Sequence, residues 1–118
     1  MKLTELDPRW LLDSSGKRVG FAFISPTKAW AQPIGHKPFW QTCMENPPQV
    51  SEQIDLWDAN GFEDHHFLQP CNPNARWTIA GGIENASFET MTVTPSLNGA
   101  DGGLWHGHIT NGVIVGGI

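Results

Sequence analysis

Apolar residues occur along this chain in short runs separated by glycine, proline and asparagine, a spacing typical of β-rich domains. The run 19–24 (VGFAFI) is apolar at nearly every position, so the strand it predicts is buried on both faces and central in its sheet. Residues 88–94 alternate instead, with Met91 and Val93 on one face and threonines on the other. We expect this second strand to end at Pro95.

Weaker patterns predict the remaining elements. Strands are expected near Trp30, near 39–40, at 64–68 and at 76–80. Residues 51–57 predict one short helix, with Ser51 as its N-cap and the pair Asn60-Gly61 as its end. Four prolines between positions 28 and 50 indicate a long irregular segment.

The clearest prediction is a C-terminal hairpin made by strands at 104–110 and 113–118. Asn111 and Gly112 suit the two positive φ angles of a type I′ turn. This register gives a core face of Trp105, Ile109, Ile114 and Ile118, and an outer face of His106, His108 and Thr110. It also sets Gly107 opposite Gly116, a bare backbone patch that a bulky neighbour or a ligand ring must fill.

These elements predict one mainly β domain over residues 1–118. Its length of 118 residues suits a single core, and 13 glycines with 9 prolines argue against a helical bundle. We expect a twisted antiparallel sheet, built as a small sandwich or a partly open barrel, with at most one short helix.

The net charge of −5 hides an asymmetry. Residues 1–37 carry six bases against three acids, whereas residues 38–118 carry Arg76 alone against nine acids. An acidic chain argues against direct nucleic-acid binding, although a local basic patch can hold one small anion. The sequence contains neither an apolar run of membrane-spanning length nor a signal peptide, so we expect a cytoplasmic protein without a membrane partner.

Six tryptophans and no tyrosine form an unusual aromatic set. Trp77 and Trp105 lie on predicted strands and are expected in the core, whereas Trp30, Trp40 and Trp57 lie in the irregular middle. Indole rings there either pack loops down or stack on a nucleotide base. Candidate ligand-binding residues are the indoles of Trp30, Trp40, Trp57 and Trp105, the phosphate-binding cations Arg18, Lys28 and Arg76, and the hydrogen-bonding groups of His106, His108 and Asn111.

Two further patterns suggest chemistry, each incompletely. His106 and His108 lie on one strand face, and a metal site would need a third ligand from His65, His66 or Cys71. The alternative is a pair of half-exposed histidines hydrogen-bonded across the sheet. Ser96 could pair with one of these histidines and with Asp101, but the chain lacks the Gly-x-Ser-x-Gly elbow of many hydrolases.

The two cysteines, Cys43 and Cys71, are expected to be unpaired, buried thiols.

Segments 6–10 (LDPRW), 77–81 (WTIAG), 93–97 (VTPSL) and 105–112 (WHGHITNG) resemble a family of small phage and prophage proteins without a settled function. Some members carry the label ammonia monooxygenase, which we regard as mistaken. Members often have a Cys-Pro-x-Cys turn after the first central strand, where this chain has Ser25 and Lys28. The resemblance implies a virus-encoded accessory protein acting in the bacterial cytosol.

Together these observations favour a non-catalytic protein that binds and sequesters a small nucleotide-like ligand, such as a signal of host immunity, without a cofactor. A homodimer formed through the C-terminal hairpin would help to build the pocket. The alternatives are a metal-dependent hydrolase using the histidine cluster, and an inhibitor that presents the acidic surface of residues 38–118 to a host defence protein.

Overall fold

A computed structural model describes residues 1–26, 39–62, 68–98 and 105–116. The described strands form two four-stranded sheets, in each of which neighbouring strands follow chain order. The first contains β1 (Arg9–Leu12), β2 (Arg18–Ile24), β3 (Trp40–Met44) and β4 (Leu68–Gln69), and helix α1 (Val50–Ala59) connects β3 to the segment before β4. The second contains β5 (Thr78–Ile79), β6 (Val93–Asn98), β7 (His106–Thr110) and β8 (Val113–Val115).

The two sheets pack face to face, which confirms the prediction of a small β-sandwich. Phe21 and Phe23 project from β2 into a core between the sheets. The second sheet contributes Val93 of β6 and Ile109 of β7 to this core, together with Trp105, which directly precedes β7. All five side chains are at most 1% exposed. Burial of these large apolar groups supplies the main driving force that holds the sheets together.

The first sheet is also covered on its other face. Ala22 and Met44 point to that side, where they pack with Leu11, with Trp57 of α1 and with Cys71. Strand β2 is therefore buried on both faces, as its continuous apolar run predicted. The result is three layers, with the first sheet between α1 and the second sheet.

Strand β4 departs from the expected antiparallel pattern, because it pairs in parallel with β3 through Trp40 opposite Leu68 and Gln41 opposite Gln69. The chain between them includes α1, and a parallel pair needs such a crossover.

The C-terminal hairpin forms in the predicted register, with strands β7 and β8 shorter than expected. The predicted strand residues 104, 117 and 118, including Ile118, lie outside the described residues. Asn111 and Gly112 have φ angles of 50° and 74°, and Ile109 pairs with Ile114. The glycine patch is filled by the chain itself. A Cβ on Gly107 would lie 2.5 Å from the Trp105 ring, whose Nε1 donates to the Gly116 carbonyl at 2.7 Å.

The outer edge of the hairpin is paired with the first residues of the chain. Lys2 forms an antiparallel bridge with Val113. The Ile114 amide donates to the Met1 carbonyl at 2.8 Å, and the Leu3 amide donates to the Gly112 carbonyl at 2.9 Å. A 3₁₀ turn at Leu3–Leu6 then brings Leu3 and Leu6 into the core between the sheets.

Three boundaries differ from the sequence-based expectations. The helix begins at Val50 with Gln49, not Ser51, as its N-cap. Strand β5 is only Thr78–Ile79, and the strand expected to end at Pro95 instead begins at Val93 and continues through that proline. The register shifts between Val93 and Leu97, and such an irregularity tolerates a residue without an amide donor.

Residues 88–90 form a turn, in which the Ser87 carbonyl accepts from the Thr90 and Met91 amides. The strand expected near Trp30 and most of the strand expected at 64–68 lie outside the described residues. None of the described helices is long and apolar enough to cross a membrane.

Candidate functional site

A cleft of about 420 Å³ lies where the β3–β4 side of the first sheet meets the β6–β7 side of the second. Its walls come from both sheets and from the segment that connects β4 to β5. The described lining residues are Gln41, Thr42, Gln69, Pro70, Cys71, Asn72, Ala75, Arg76, Trp77, Pro95, Ser96, Leu97 and His106. Of the residues predicted to bind a ligand, this lining brings together Arg76 and His106.

Two buried glutamines hold the walls of the cleft in place. The Gln41 amide donates to the Trp105 carbonyl and accepts from the Trp105 amide, both at 3.0 Å. The Gln53 amide makes the same pair of bonds with Cys71, both at 2.9 Å. Because a carboxamide carries N–H donors beside a carbonyl acceptor, it can pair with both the amide and the carbonyl of one residue, as a neighbouring strand would. These two braces fix the strand that carries His106 and the segment that leads to Arg76.

Arg76 supplies the only formal charge among the described residues that line the cleft. Its Nη1 donates to the carbonyls of Pro73 at 2.8 Å and Ala75 at 2.6 Å. Within the described part of the chain, the Nη2 and Nε donors have no such bonds and can meet a ligand. Although the chain has a net charge of −5, this cleft therefore presents a cation, with no carboxylate among its described lining residues.

Trp77 borders the same cleft, although the sequence analysis assigned it to the core. The side chain is half-buried. It packs against the core between the sheets and against the core on the other face of the first sheet, and its Nε1 donates to the Ser96 carbonyl at 3.3 Å. Its position follows the turn at residues 73–74 and directly precedes β5, so it lies at the edge of the sandwich rather than between the sheets. The neighbouring Arg76 and this turn were the sequence signal that could have identified it.

Ser96 and His106 meet across strands β6 and β7. The distance from Ser96 Oγ to His106 Nε2 is 3.3 Å. With the tautomer that leaves Nε2 unprotonated, the serine hydroxyl donates to the imidazole. His106 is exposed and Ser96 is half-buried, so both atoms face the cleft opening rather than the core.

The structure places two of the predicted ligand-binding tryptophans in the core. Trp57 is 1% exposed and Trp105 is 0% exposed, so neither indole has an open face on which a base could stack. Trp57 lies on the inner face of α1, because the helix that the sequence predicted is amphipathic and turns this ring towards the first sheet. Trp105 covers Gly107, as described above.

Other predicted residues lie away from the cleft. Trp40 is half-buried and meets Phe62 edge-on, with ring centroids 5.2 Å apart. Arg18 stacks over Trp10 at 4.1 Å and donates to the carbonyls of Ile83 and Ala86, so it braces the fold.

Asn111 belongs to the hairpin turn and lines a separate, smaller pocket of about 140 Å³. His108 is exposed on the same strand face as His106, which confirms the predicted pattern of alternation, but it is not among the described lining residues. Lys28, Trp30, His65 and His66 lie outside the described residues.

Cys71 forms part of the cleft wall as a protonated thiol. Its Sγ lies 3.3 Å from Thr42 Oγ1 and donates to the Thr42 carbonyl at 3.3 Å. Burial raises the pKa of Cys71 to about 11, against a smaller lowering by the bond with Thr42. Metal binding requires the thiolate, which this environment disfavours at neutral pH.

Cys43 and Cys71 are both free and buried, as expected. In the part of the chain that the structure describes, no three His, Cys, Asp or Glu side chains form a group that could hold a metal ion.

Comparisons with protein-family models, with curated proteins and with solved structures found no match.

Proposed function

We propose that this protein binds and sequesters a small nucleotide-like anion in the cleft between its two sheets. The observation that carries the proposal is the placement of Arg76, the one charged side chain among the described lining residues of the cleft. A guanidinium with unused N–H donors binds phosphate oxygens through charge-assisted hydrogen bonds.

Trp77 supplies the second element of nucleotide recognition. It follows Arg76 directly, and its half-buried indole borders the cleft on the same wall. Stacking of a base on an aromatic ring contributes about 1–3 kcal/mol. The hydroxyl of Ser96, the amide of Asn72 and the imidazole of His106 provide polar contacts around the opening, as sugar hydroxyls require.

The resemblance to small phage and prophage proteins supports a role for this binding during infection. A protein that removes a nucleotide signal from solution needs a pocket and a sufficient copy number, but no turnover. We therefore propose that the ligand is a nucleotide messenger of host immunity. Mass spectrometry of protein purified from cells with an active defence system would show a bound nucleotide, and ligand-free protein from such cells would argue against this role.

Calorimetric titration tests the binding itself. ADP, ADP-ribose and cyclic dinucleotides are the probes, and at least one should bind with a dissociation constant below about 100 µM, the weakest useful affinity for sequestration. Arg76→Gln should weaken that binding at least about tenfold, which corresponds to the loss of one charge-assisted contact. Arg9→Gln is the matched control, since Arg9 pairs with Asp7 on the surface and does not line the cleft.

Trp77→Leu should weaken binding of the same nucleotide by about 1–3 kcal/mol if its ring stacks on the base. Since Trp77 also packs against the core, the thermal unfolding of the Trp77→Leu variant is measured alongside its affinity, to show that the variant is folded. Absence of heat with every probe, or equal affinity of the wild type and Arg76→Gln, would overturn the proposal.

A further inference from the structure

Beyond binding, we infer that Ser96 and His106 form a nucleophile and general-base pair that attacks esters of small anionic molecules in the cleft. The inference starts from the 3.3 Å separation between Ser96 Oγ and His106 Nε2. Hydrogen bonding of a serine hydroxyl to an imidazole nitrogen is the contact through which histidine activates serine. Distances slightly longer than in a reacting complex are common in ligand-free sites.

The two side chains lie on neighbouring strands, with Ser96 in the irregular stretch of β6 between the paired residues Val93 and Leu97. His106 pairs with Asn98 across β6 and β7, and the preceding residue, Trp105, is fixed at both backbone atoms by Gln41. On the other side, the Ser96 carbonyl accepts the indole N–H of Trp77 at 3.3 Å. Reacting groups on rigid elements keep their geometry, which is what a nucleophile and its base require.

The surroundings suit an anionic substrate. Arg76 lies on the wall of the same cleft, where it would bind a phosphate or carboxylate of the substrate and so bring the ester group towards Ser96. Cys71 lies on the same wall, but its buried thiol bonds to Thr42, whereas Ser96 has an imidazole nitrogen within hydrogen-bond distance as its base.

The proposed reaction is balanced within the pair and water. Ser96 Oγ forms a bond to the carbonyl carbon while its proton moves to His106 Nε2. The bond from that carbon to the alcohol oxygen then breaks, and the leaving alkoxide takes the proton from the imidazolium. Water, deprotonated by the same imidazole, hydrolyses the acyl-serine and restores the free hydroxyl.

A fluorophosphonate probe tests the pair directly. Attack by Ser96 forms an oxygen–phosphorus bond and expels fluoride, which leaves a stable adduct that intact-mass and peptide mapping locate. We expect one adduct per chain on the peptide that contains Ser96, none in Ser96→Ala, and a rate at least about 100-fold lower in His106→Gln. Ser87→Ala is the control, since Ser87 bonds to Thr90 outside the cleft and its loss should leave the rate unchanged.

The pH profile separates base catalysis from mere accessibility. The labelling rate should increase with pH in the wild type, because attack needs an unprotonated base, and this increase should be lost in His106→Gln. Labelling at a residue other than Ser96 would overturn the inference. So would labelling of Ser96 at the same rate in His106→Gln as in the wild type. Nucleotide titration is independent of this result: labelling without nucleotide binding rejects only the proposed function, and binding without labelling rejects only the nucleophilic pair.

Discussion

The two sheets of this sandwich differ in how many of their faces are covered. The first sheet is buried on both, with Phe21 and Phe23 against the second sheet and Ala22 against α1. The second sheet buries residues such as Ile109 inwards, while its outer face exposes His106 and His108 to solvent. Polar side chains on the first sheet, such as Gln41, serve as buried braces, whereas those on the second are accessible to a ligand. The first sheet thus supports the shape of the cleft, and the second sheet contributes polar side chains that a ligand can reach.

The sharpest test of this difference is to remove one large side chain from the covered sheet. Phe21→Ala should lower the free energy of unfolding by about 3–5 kcal/mol, because it leaves a cavity between the sheets. Val115→Ala on β8, where the side chain is 46% exposed, should change it by less than about 0.5 kcal/mol. Urea unfolding of both variants measures the contrast, and similar losses would mean that the two sheets do not differ in this way.

A change of pH tests the thiols buried in and beside the first sheet. Burial raises the pKa of Cys71 to about 11 from an ordinary value of 9.0, so the folded state holds this proton more tightly than the unfolded chain. The contribution of this thiol to the free energy of unfolding is therefore fully present below pH 9 and is lost as the pH rises towards about 11. Cys71 alone should account for a loss of about 2–3 kcal/mol.

Burial also raises the pKa of Cys43, which adds to the loss in the same direction. Thermal unfolding between pH 7 and 11 would show the decline, and Cys71→Ala should make it shallower. If that variant kept the full decline, this thiol would not be its source.

The inner face of the second sheet should also tolerate substitution poorly, although with a smaller loss than Phe21→Ala. Gly107→Ala would place a Cβ 2.5 Å from the Trp105 ring and 2.5 Å from the Val115 carbonyl oxygen. Overpacking of this kind costs about 1–3 kcal/mol. His108→Ala, on the exposed side of the same strand, is the control in a denaturant series. A neutral Gly107→Ala would show that the indole can move away and that this face is loosely packed.

The outer face should show the smallest effects on folding. Ser96→Ala and His106→Gln should each change the free energy of unfolding by less than about 0.5 kcal/mol, because neither side chain is buried and their mutual bond is near solvent. Differential scanning calorimetry would measure this. A larger loss would make the pair a structural brace, like the glutamines, and would blur the distinction between the sheets.

The predictions that succeeded rest on local rules. The hairpin register follows from Asn111-Gly112, whose positive φ angles only a few residues adopt easily, and the double burial of β2 follows from its unbroken apolar run. Pro95 does not end its strand as predicted, because the register shift in β6 accommodates a residue that usually ends a regular ladder.

The cleft depends on contacts that leave little local trace. Gln53 binds the backbone of Cys71 across 18 positions, and Gln41 binds Trp105 across 64. Nothing in the sequence around either glutamine distinguishes it from a glutamine exposed on the surface. For the same reason, the sequence predicts separate roles for Trp77, in the core, and for Arg76, as a phosphate-binding residue, although both border one cavity.

The bridge between Lys2 and Val113 has a consequence for the order of folding. Its partners are separated by almost the whole chain, so joining them closes a very large loop, and the entropy of that closure falls when other contacts have already brought the ends together. We therefore expect the β7–β8 hairpin to form early and the first residues to dock last. The Ile114 amide, whose acceptor is the Met1 carbonyl, would then exchange its hydrogen faster than the amides shared by β6 and β7.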